Sequence, residues 1–332
     1  MTVSVLVVGG AGYIGSHMCQ VLADAGHAVT VFDNLSRGHR DAVGAAEFIL
    51  GDIRSADDLN ACFEGRHFDV AMHFAALAYV GESVQVPALY YDTNVSGSLR
   101  LLDAMRETGL TRLVFSSSCA TYGEPIESPL RESHPQQPVN PYGRTKLVVE
   151  QALSDYARAY GLQSISLRYF NAAGCDPAGR VGERHDPETH LVPLVLEQAL
   201  RVRRGGPAHE TDLLVMGNDF PTVDGTCVRD YIHVNDLCRA HLLAAERLAS
   251  GKVNSAEAYN LGNGRGYSVL QVIEAARRVT GLDVRYRMGA RRAGDPSELV
   301  ADASRARQAL GWQPEIADMD AIVATAWHWM TK

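Results

Sequence analysis

Tyr142 and Lys146 stand four residues apart just behind Asn140-Pro141, and that spacing could make a base at neutral pH. Proline is well placed in the first turn of a helix, so the phenol and the ammonium fall one turn apart on one face. A free phenol has a pKa near ~10 and is a poor base at pH 7. A nearby ammonium favours the phenolate, and lowering the phenol by about three units corresponds to roughly 4 kcal/mol of differential stabilisation. The run Ser116-Ser117-Ser118 closes an apolar segment, and Tyr142 comes twenty-four residues after Ser118, so the tyrosine helix follows a serine-ended strand.

A second group of residues is suited to phosphates. Gly9-Gly10-Ala11-Gly12-Tyr13-Ile14-Gly15 follows the apolar run Ser4–Val8 and opens a helix. The glycines at positions 9, 12 and 15 suit a tight turn, a close approach of a pyrophosphate and a close helix–strand contact. The first N–H groups of the helix would hold the phosphates. Asp33 ends the next strand, eighteen residues after Gly15, where a carboxylate accepts from ribose hydroxyls and repels a ribose phosphate. That favours NAD over NADP, with nearby Arg37 acting in the other direction. Gly51-Asp52-Ile53-Arg54 follows the third strand, at the edge of an adenine pocket. The positive nicotinamide of NAD would add to the ammonium of Lys146 in favouring the Tyr142 phenolate.

These residues need a frame, and the chain supplies one. Strand-like runs at Ser4–Val8, Ala28–Asp33, Glu47–Leu50, Val70–Phe74, Leu113–Ser117 and Ile165–Tyr169 alternate with amphipathic stretches such as Gly15–Ala25, Tyr90–Thr108 and Tyr142–Tyr160. Short buried strands separated by helices predict an α/β fold, a Rossmann-type doubly wound parallel sheet. After Gly174 the pattern loosens. Strand-like pieces at Leu213–Met216, Tyr231–Val234 and Tyr259–Leu261, with helices near Asn235–Ala249 and Val269–Thr280, suggest a smaller α/β lobe. We expect a dinucleotide-binding domain over 1–174, with parts of 225–262 returning to it, and a substrate lobe over 175–332.

Composition narrows the function. The 332 residues carry a net charge of −8, which gives nucleic-acid binding no electrostatic support. Six scattered cysteines without a Cys-x-x-Cys pair read as reduced thiols of a cytoplasmic protein. The twelve histidines show no His-Glu-x-x-His spacing, so no metal site is expected. No apolar run reaches membrane-spanning length.

Further motifs lie along the chain: Asp33-Asn34-Leu35, His73-Phe74-Ala75-Ala76-Leu77, Val80-Gly81-Glu82-Ser83 and Leu167-Arg168-Tyr169-Phe170-Asn171. Beyond them come Gly217-Asn218-Asp219, Asp224-Gly225-Thr226, Val228-Arg229-Asp230-Tyr231-Ile232-His233-Val234 and Arg291-Arg292-Ala293-Gly294-Asp295. Together with the glycine loop and Tyr-x-x-x-Lys, they resemble the UDP-glucose 4-epimerase family of extended short-chain dehydrogenases/reductases, in order, from residue 5 to about 302.

The resemblance implies that Tyr142 is the base, Lys146 its electrostatic partner and ribose ligand, and Ser118 a donor to the sugar 4-oxygen. NAD would be held by Gly9, Gly12, Tyr13, Ile14 and Gly15, by Asp33, Asn34, Ser36, Asp52 and Ile53, and by Phe74, Ala75, Ala76, Asn94, Ser116 and Tyr169. The UDP-sugar would lie against Phe170, Asn171, His190, Leu191, Leu214, Met216, Arg229, Tyr231, Arg292, Asp295 and Leu299. In the implied mechanism the phenolate takes the 4-hydroxyl proton as hydride leaves C4. The 4-keto sugar turns over and hydride returns to its opposite face, so the cofactor is not consumed and stays tightly bound. The family also implies a homodimer packed through the helices near Tyr90–Thr108 and Tyr142–Tyr160.

The chain departs from the family in places. Ala78 stands where many members carry a lysine, His190 where asparagine is common, and Cys119-Ala120 where Ala-Thr is usual. A 4,6-dehydratase would need an Asp-Glu pair after Ser118, and a UDP-uronate decarboxylase a glutamate; Cys119 and Ala120 supply neither. A non-catalytic NAD-binding protein on the same fold has no need to keep Ser118, Tyr142 and Lys146 together. An epimerase for another UDP-sugar such as UDP-xylose is the remaining alternative. Leu299 occupies a position that is often tyrosine in members restricted to glucose and galactose, which would leave room for UDP-GlcNAc or UDP-GalNAc.

Overall fold

In the computed structural model, which describes residues 2–205, 212–292 and 295–332, the run Val5–Val8 is wholly buried, as in a strand covered on both faces. It belongs to β1 (Ser4–Val8), followed by β2 (Ala28–Asp33), β3 (Glu47–Leu50), β4 (Val70–His73), β5 (Arg112–Ser118) and β6 (Gln163–Tyr169). The strands lie in the order β3-β2-β1-β4-β5-β6, all parallel, and a later strand, Ala256–Leu261, extends the edge beside β6 to make seven. The chain leaves β1 toward β2 and β3 and then crosses to β4 on the other side. A crevice therefore opens beyond the carboxyl ends of β1 and β4, where doubly wound sheets bind ligands.

Two apolar layers cover this sheet. One packs the helices Tyr13–Asp24, Val234–Ala249 and Ser304–Leu310 against one face, with Met18, Leu237 and Trp312 buried. The other packs Ala56–Phe63, Gly97–Thr108 and Pro141–Tyr160 against the opposite face, through Leu59, Leu101 and Val149 among others.

The rest of the chain builds smaller sheets. β7 (Asn171–Ala173), β8 (Leu213–Met216), β9 (Val228–His233), β10 (Ala256–Leu261), β11 (Gly266–Ser268), β12 (Tyr286–Gly289) and β13 (Glu298–Leu299) follow in order. β9 pairs with β7, β11 and β13, while β8 pairs with β12. Within 225–262, then, Val234–Ala249 and β10 join the main sheet, whereas β9 centres a sheet of its own. Helices Leu191–Arg203, Val269–Thr280 and Met319–Met330 share a third apolar cluster with Tyr231 and Val215. Asp230, fully buried, ties β9 to its neighbours by accepting from the backbone N–H groups of Asn263 (2.8 Å), Gly264 (3.0 Å) and Ala301 (3.1 Å). Alternation along β9 then directs Arg229 and Tyr231 to the opposite side.

Candidate active site

The crevice is lined first by backbone. Gly9 has φ +84°, and a Cβ there would run into the backbone nitrogen of Ala75, with the Ala75 Cα 2.7 Å away. A Cβ on Gly15 would meet the Gly9 carbonyl, so the helix Tyr13–Asp24 can start this close to β1 only without side chains. Asp33 is fixed at the end of β2: its Oδ2 accepts from Ala11 N (3.0 Å) and its Oδ1 from Leu35 N (2.7 Å). Each oxygen keeps a further lone pair, and burial raises its pKa despite the two backbone donors. Arg37, whose charge could receive a ribose phosphate, donates instead to Glu82 (2.9 Å) and the Asp186 carbonyl (3.1 Å), with its guanidinium 5.0 Å from the Tyr79 ring centroid. The remaining acceptor capacity of Asp33 and the engagement of Arg37 elsewhere suit a dinucleotide without that phosphate.

Neighbouring positions divide into direct liners and supports. Asn34 donates to Asp52 (2.9 Å) and accepts from Ser36 N (2.9 Å), and the Arg54 guanidinium holds Asp52 well below the usual carboxylate range. Ile53 is buried against Gly97, and Phe74 lies 4.8 Å from the His241 ring. Ala75 N donates to the Val8 carbonyl (3.0 Å), and Ala76 lies in the same partly buried loop. Asn94 differs from a simple ligand. Its amide exchanges bonds with Leu77 (2.8 and 2.9 Å) and donates to Thr145 (3.1 Å), so it straps the loop after β4 to the tyrosine helix. Tyr13 likewise spends its hydroxyl on the Gly174 carbonyl (2.5 Å), and the Ile14 carbonyl takes the Cys238 thiol at 3.7 Å.

The catalytic candidates meet at the end of β5. Asn140 caps the helix Pro141–Tyr160 by accepting from Gly143 N (2.9 Å). Gly143 lies against the Ala120 carbonyl, which locks the turn after Ser118 onto the helix carrying Tyr142 and Lys146. Lys146 Nζ donates to the Ser116 carbonyl (2.7 Å) and lies 5.9 Å from the Tyr142 ring centroid. Tyr169 shares a short hydrogen bond with Ser116.

The expectation of a depressed phenol is not met by the chain alone. Burial pushes Tyr142 up to about 12, with the Ser118 hydroxyl opposing it. Burial also brings Lys146 down to about 7, with Glu150 opposing. The same enclosure that excludes water penalises both charged forms, so a phenolate here needs a further positive charge in the crevice.

On the other wall, Arg229 is 87% buried by side chain (13% exposed), donates to the Val228 carbonyl (2.8 Å) and lies 3.5 Å from Asp295. Arg292 lies 3.2 Å from the same carboxylate but is 65% exposed. Asp295 therefore bridges the two arginines, and Ala293 and Gly294 of that motif lie outside the described residues. β7 and β13 flank β9 in the registers Asn171↔Tyr231 and Leu299↔Arg229. Leu299 and Cys119 pack on the cluster of Tyr122, Leu130, Phe170 and Ala301, so Leu299 shares a patch with the residue that follows Ser118. Leu214 and Met216 lie on β8, whose end at Gly217 abuts Arg291. His190 bonds through Nδ1 to Glu183 (2.5 Å), one residue before Leu191 opens its helix.

Residues 5–262 match the NAD dependent epimerase/dehydratase family. The chain belongs to that family. It is 50% identical over 326 residues to a UDP-glucose 4-epimerase of Streptomyces lividans, with 98% of this chain and 95% of the relative covered. It superposes with a TM-score of 0.92 on the crystal structure of UDP-glucose 4-epimerase from Brucella ovis in complex with NAD, at 49% identity, covering 99% and 98% of the two chains. A Stenotrophomonas maltophila UDP-glucose-4-epimerase structure with bound NAD and formylated UDP-arabinopyranose gives a TM-score of 0.93 at 40% identity, again over 99% and 98%.

Within this epimerase/dehydratase site the sequence reading missed a buried network below Lys146. Glu150, one turn along, accepts from Ser117 (2.5 Å) and pairs with Arg168 through both oxygens. Arg168 donates to the Tyr122 hydroxyl (3.0 Å), which donates to Asn260 (2.6 Å). The available signal was the i, i+4 spacing of Lys146 and Glu150 on a helix whose apolar face packs against β5 and β6.

Proposed function

We propose that this chain is a 4-epimerase of UDP-hexoses that interconverts UDP-glucose and UDP-galactose and retains NAD through the cycle. The observation that carries this reading is the convergence of Ser118, Tyr142 and Lys146 at the end of β5, with Cys119 and Ala120 following Ser118. Neither of those two side chains has the carboxyl that dehydration or decarboxylation would require. The relatives named above carry this activity in their names.

Bound in the crevice, NAD supplies a nicotinamide that can take up a hydride and give it back. The work of the chain is to place and move a proton. Tyr142 receives the proton of the sugar 4-hydroxyl and later returns it, while Ser118 donates to the same oxygen. Lys146 contributes the positive charge that offsets the burial of the phenolate. Arg229 and Arg292 hold the diphosphate, Asp295 bridges the two guanidiniums, and Asn171, Tyr231, His190 and Leu191 surround the nucleotide. Leu299 borders the sugar, so that N-acetylated UDP-sugars fit as well.

Residues 1–174, with the returning segments of 225–262, serve as the NAD-binding domain, and 175–332 as the UDP-sugar lobe. The active unit is a homodimer. Exposed Leu89 and Tyr91 beside the Gly97–Thr108 helix, and Val148 and Tyr160 on Pro141–Tyr160, give it an apolar face. Six free cysteines fit a reducing, cytoplasmic setting.

Tyr142→Phe tests the reading. It should lower turnover of UDP-galactose by about 10²–10⁴-fold while UDP binding, measured by calorimetry, stays within a few-fold. A variant with near wild-type turnover would remove Tyr142 from the role of base.

A further inference from the structure

Beside the catalytic crevice, and sharing His190 with its nucleotide wall, four side chains of one loop turn toward each other. Glu183, His185, Glu188 and His190 lie within eight residues of sequence, ahead of the helix Leu191–Arg203, and each offers a ligand atom within 4.8 Å of the others. We propose that these four residues form a binding site for one divalent transition-metal ion.

The distances suit such an ion. Glu183 Oε1 lies 2.5 Å from His190 Nδ1 and 3.1 Å from His185 Nδ1, while Glu188 lies 3.5 Å from His185 and 3.8 Å from His190. Metal–ligand bonds of about 2.0–2.1 Å in a tetrahedron place ligand atoms ~3.3 Å apart, in the middle of that spread. Two imidazoles with two carboxylates favour zinc, cobalt or nickel over calcium or magnesium, which take oxygen ligands in larger number.

Charge points the same way. The Glu183 and Glu188 side chains are only 5% and 8% exposed. The neighbouring cation, Arg184, is turned away onto Asp41 (2.8 and 2.9 Å). Two buried carboxylates are costly unless positive charge joins them; a proton on His185 supplies one such charge and a dication supplies two. His185 Nδ1 is buried and makes no well-aligned hydrogen bond.

The surroundings hold the ligands in place, as outer shells of metal sites do. Glu188 accepts from the backbone N–H groups of Thr189 (2.7 Å) and His190 (2.8 Å). The edges of Tyr13 and Tyr79 confine the His185 ring at 5.9 and 6.1 Å. His190 is 43% exposed and gives an ion its way in. The competing occupant is a proton: burial disfavours a charged His185 ring, but Glu183 and Glu188 outweigh it and hold the group up at about 9.

The loop also touches the cofactor side of the molecule. His39 bonds to the Arg184 carbonyl (2.9 Å), Arg37 to that of Asp186 (3.1 Å) and Tyr79 to that of Pro187 (3.1 Å). An ion here would pin this loop against the segments that follow β2 and β4, so it would act on stability.

The test strips the purified full-length protein with a chelator and titrates it with CoCl₂ or ZnCl₂ alone. The wild type should take up one equivalent of cobalt with the visible absorption of a tetrahedral site, and zinc should raise its Tm. Glu183→Gln with His185→Gln should bind at least about 100-fold more weakly, as expected when ligands rather than their supports are removed. His190→Asn changes only the half-exposed ligand, so it decides the matter if the double variant does not fold; it should lose the tetrahedral spectrum and the Tm gain. Wild type that binds no stoichiometric ion, or variants that bind as well as wild type, would leave the cluster a protonated histidine knot and overturn the proposal.

Discussion

Lys146→Met removes the charge proposed to sustain the Tyr142 phenolate, and the geometry sets the size of the effect. Nζ lies 5.9 Å from the Tyr142 ring centroid. A unit charge about 6 Å away, at an effective dielectric near ~20, is worth roughly 2.8 kcal/mol, or about 2 pKa units. The sign follows from the chemistry. The base acts deprotonated, so turnover rises with pH through the apparent pKa of the phenol and then levels off. With Lys146 in place, burial outweighs the Ser118 hydrogen bond and holds that phenol up at about 12, and a further positive charge in the crevice moves the rising limb to lower pH. Loss of the lysine charge should carry the limb upward by about 2 units, costing ~100-fold in kcat at any pH below the wild-type pKa and progressively less above it. Lys146 itself sits at about 7 from burial, so the two groups titrate as a pair and the profile reports the pair. The assay is kcat for UDP-galactose, coupled to UDP-glucose oxidation, from pH 5.5 to 9.5 in roughly half-unit steps for both proteins. A variant whose rising limb stays at the wild-type pH, and which is slower by the same factor on the plateau as on the limb, would refute the electrostatic role and leave Lys146 only a positioning one.

Two further substitutions examine the sugar and phosphate walls. Arg229→Leu should raise KM for UDP-galactose more than Arg292→Leu does, since a charge-assisted bond worth roughly 1.5–3 kcal/mol is weaker in solvent and Arg229 is 13% exposed against 65% for Arg292; equal effects, measured in steady-state kinetics, would argue against that ranking. Leu299→Tyr should suppress turnover of UDP-GalNAc while sparing UDP-galactose, because the added ring would enter the patch shared with Phe170 and Cys119; parallel loss on both substrates would remove Leu299 as a selector.

Local chemistry was the most legible part of the sequence. The glycine loop, Asp33 and the Tyr142–Lys146 spacing are short-range patterns, and the six strands from Ser4 to Tyr169 are marked by apolar runs. β7, β11 and β13 were not legible, because strands of two or three residues exist only through partners far along the chain, as in Leu299↔Arg229. The same holds for charge. That Tyr142 is pushed up rather than down depends on burial, which no spacing reveals. Asn94 stands where a ligand to NAD was expected, yet its amide is spent on Leu77 and Thr145, a pairing across seventeen and fifty-one residues. Glu183, His185, Glu188 and His190 escaped a search for familiar metal spacings because the loop, not a helix, brings them together.

The central claim is a redox cycle that closes on itself with the cofactor retained, and one measurement addresses it directly. The purified protein, gel-filtered and supplied with UDP-galactose but no NAD, is followed for UDP-glucose formation, and a parallel sample is acid-precipitated to quantify released dinucleotide. The account predicts sustained conversion toward equilibrium, with bound dinucleotide close to one per chain and no net accumulation of NADH. Conversion that needs continual addition of NAD and accumulates NADH in step with product would contradict it, and so would a protein carrying full dinucleotide that leaves UDP-galactose unchanged.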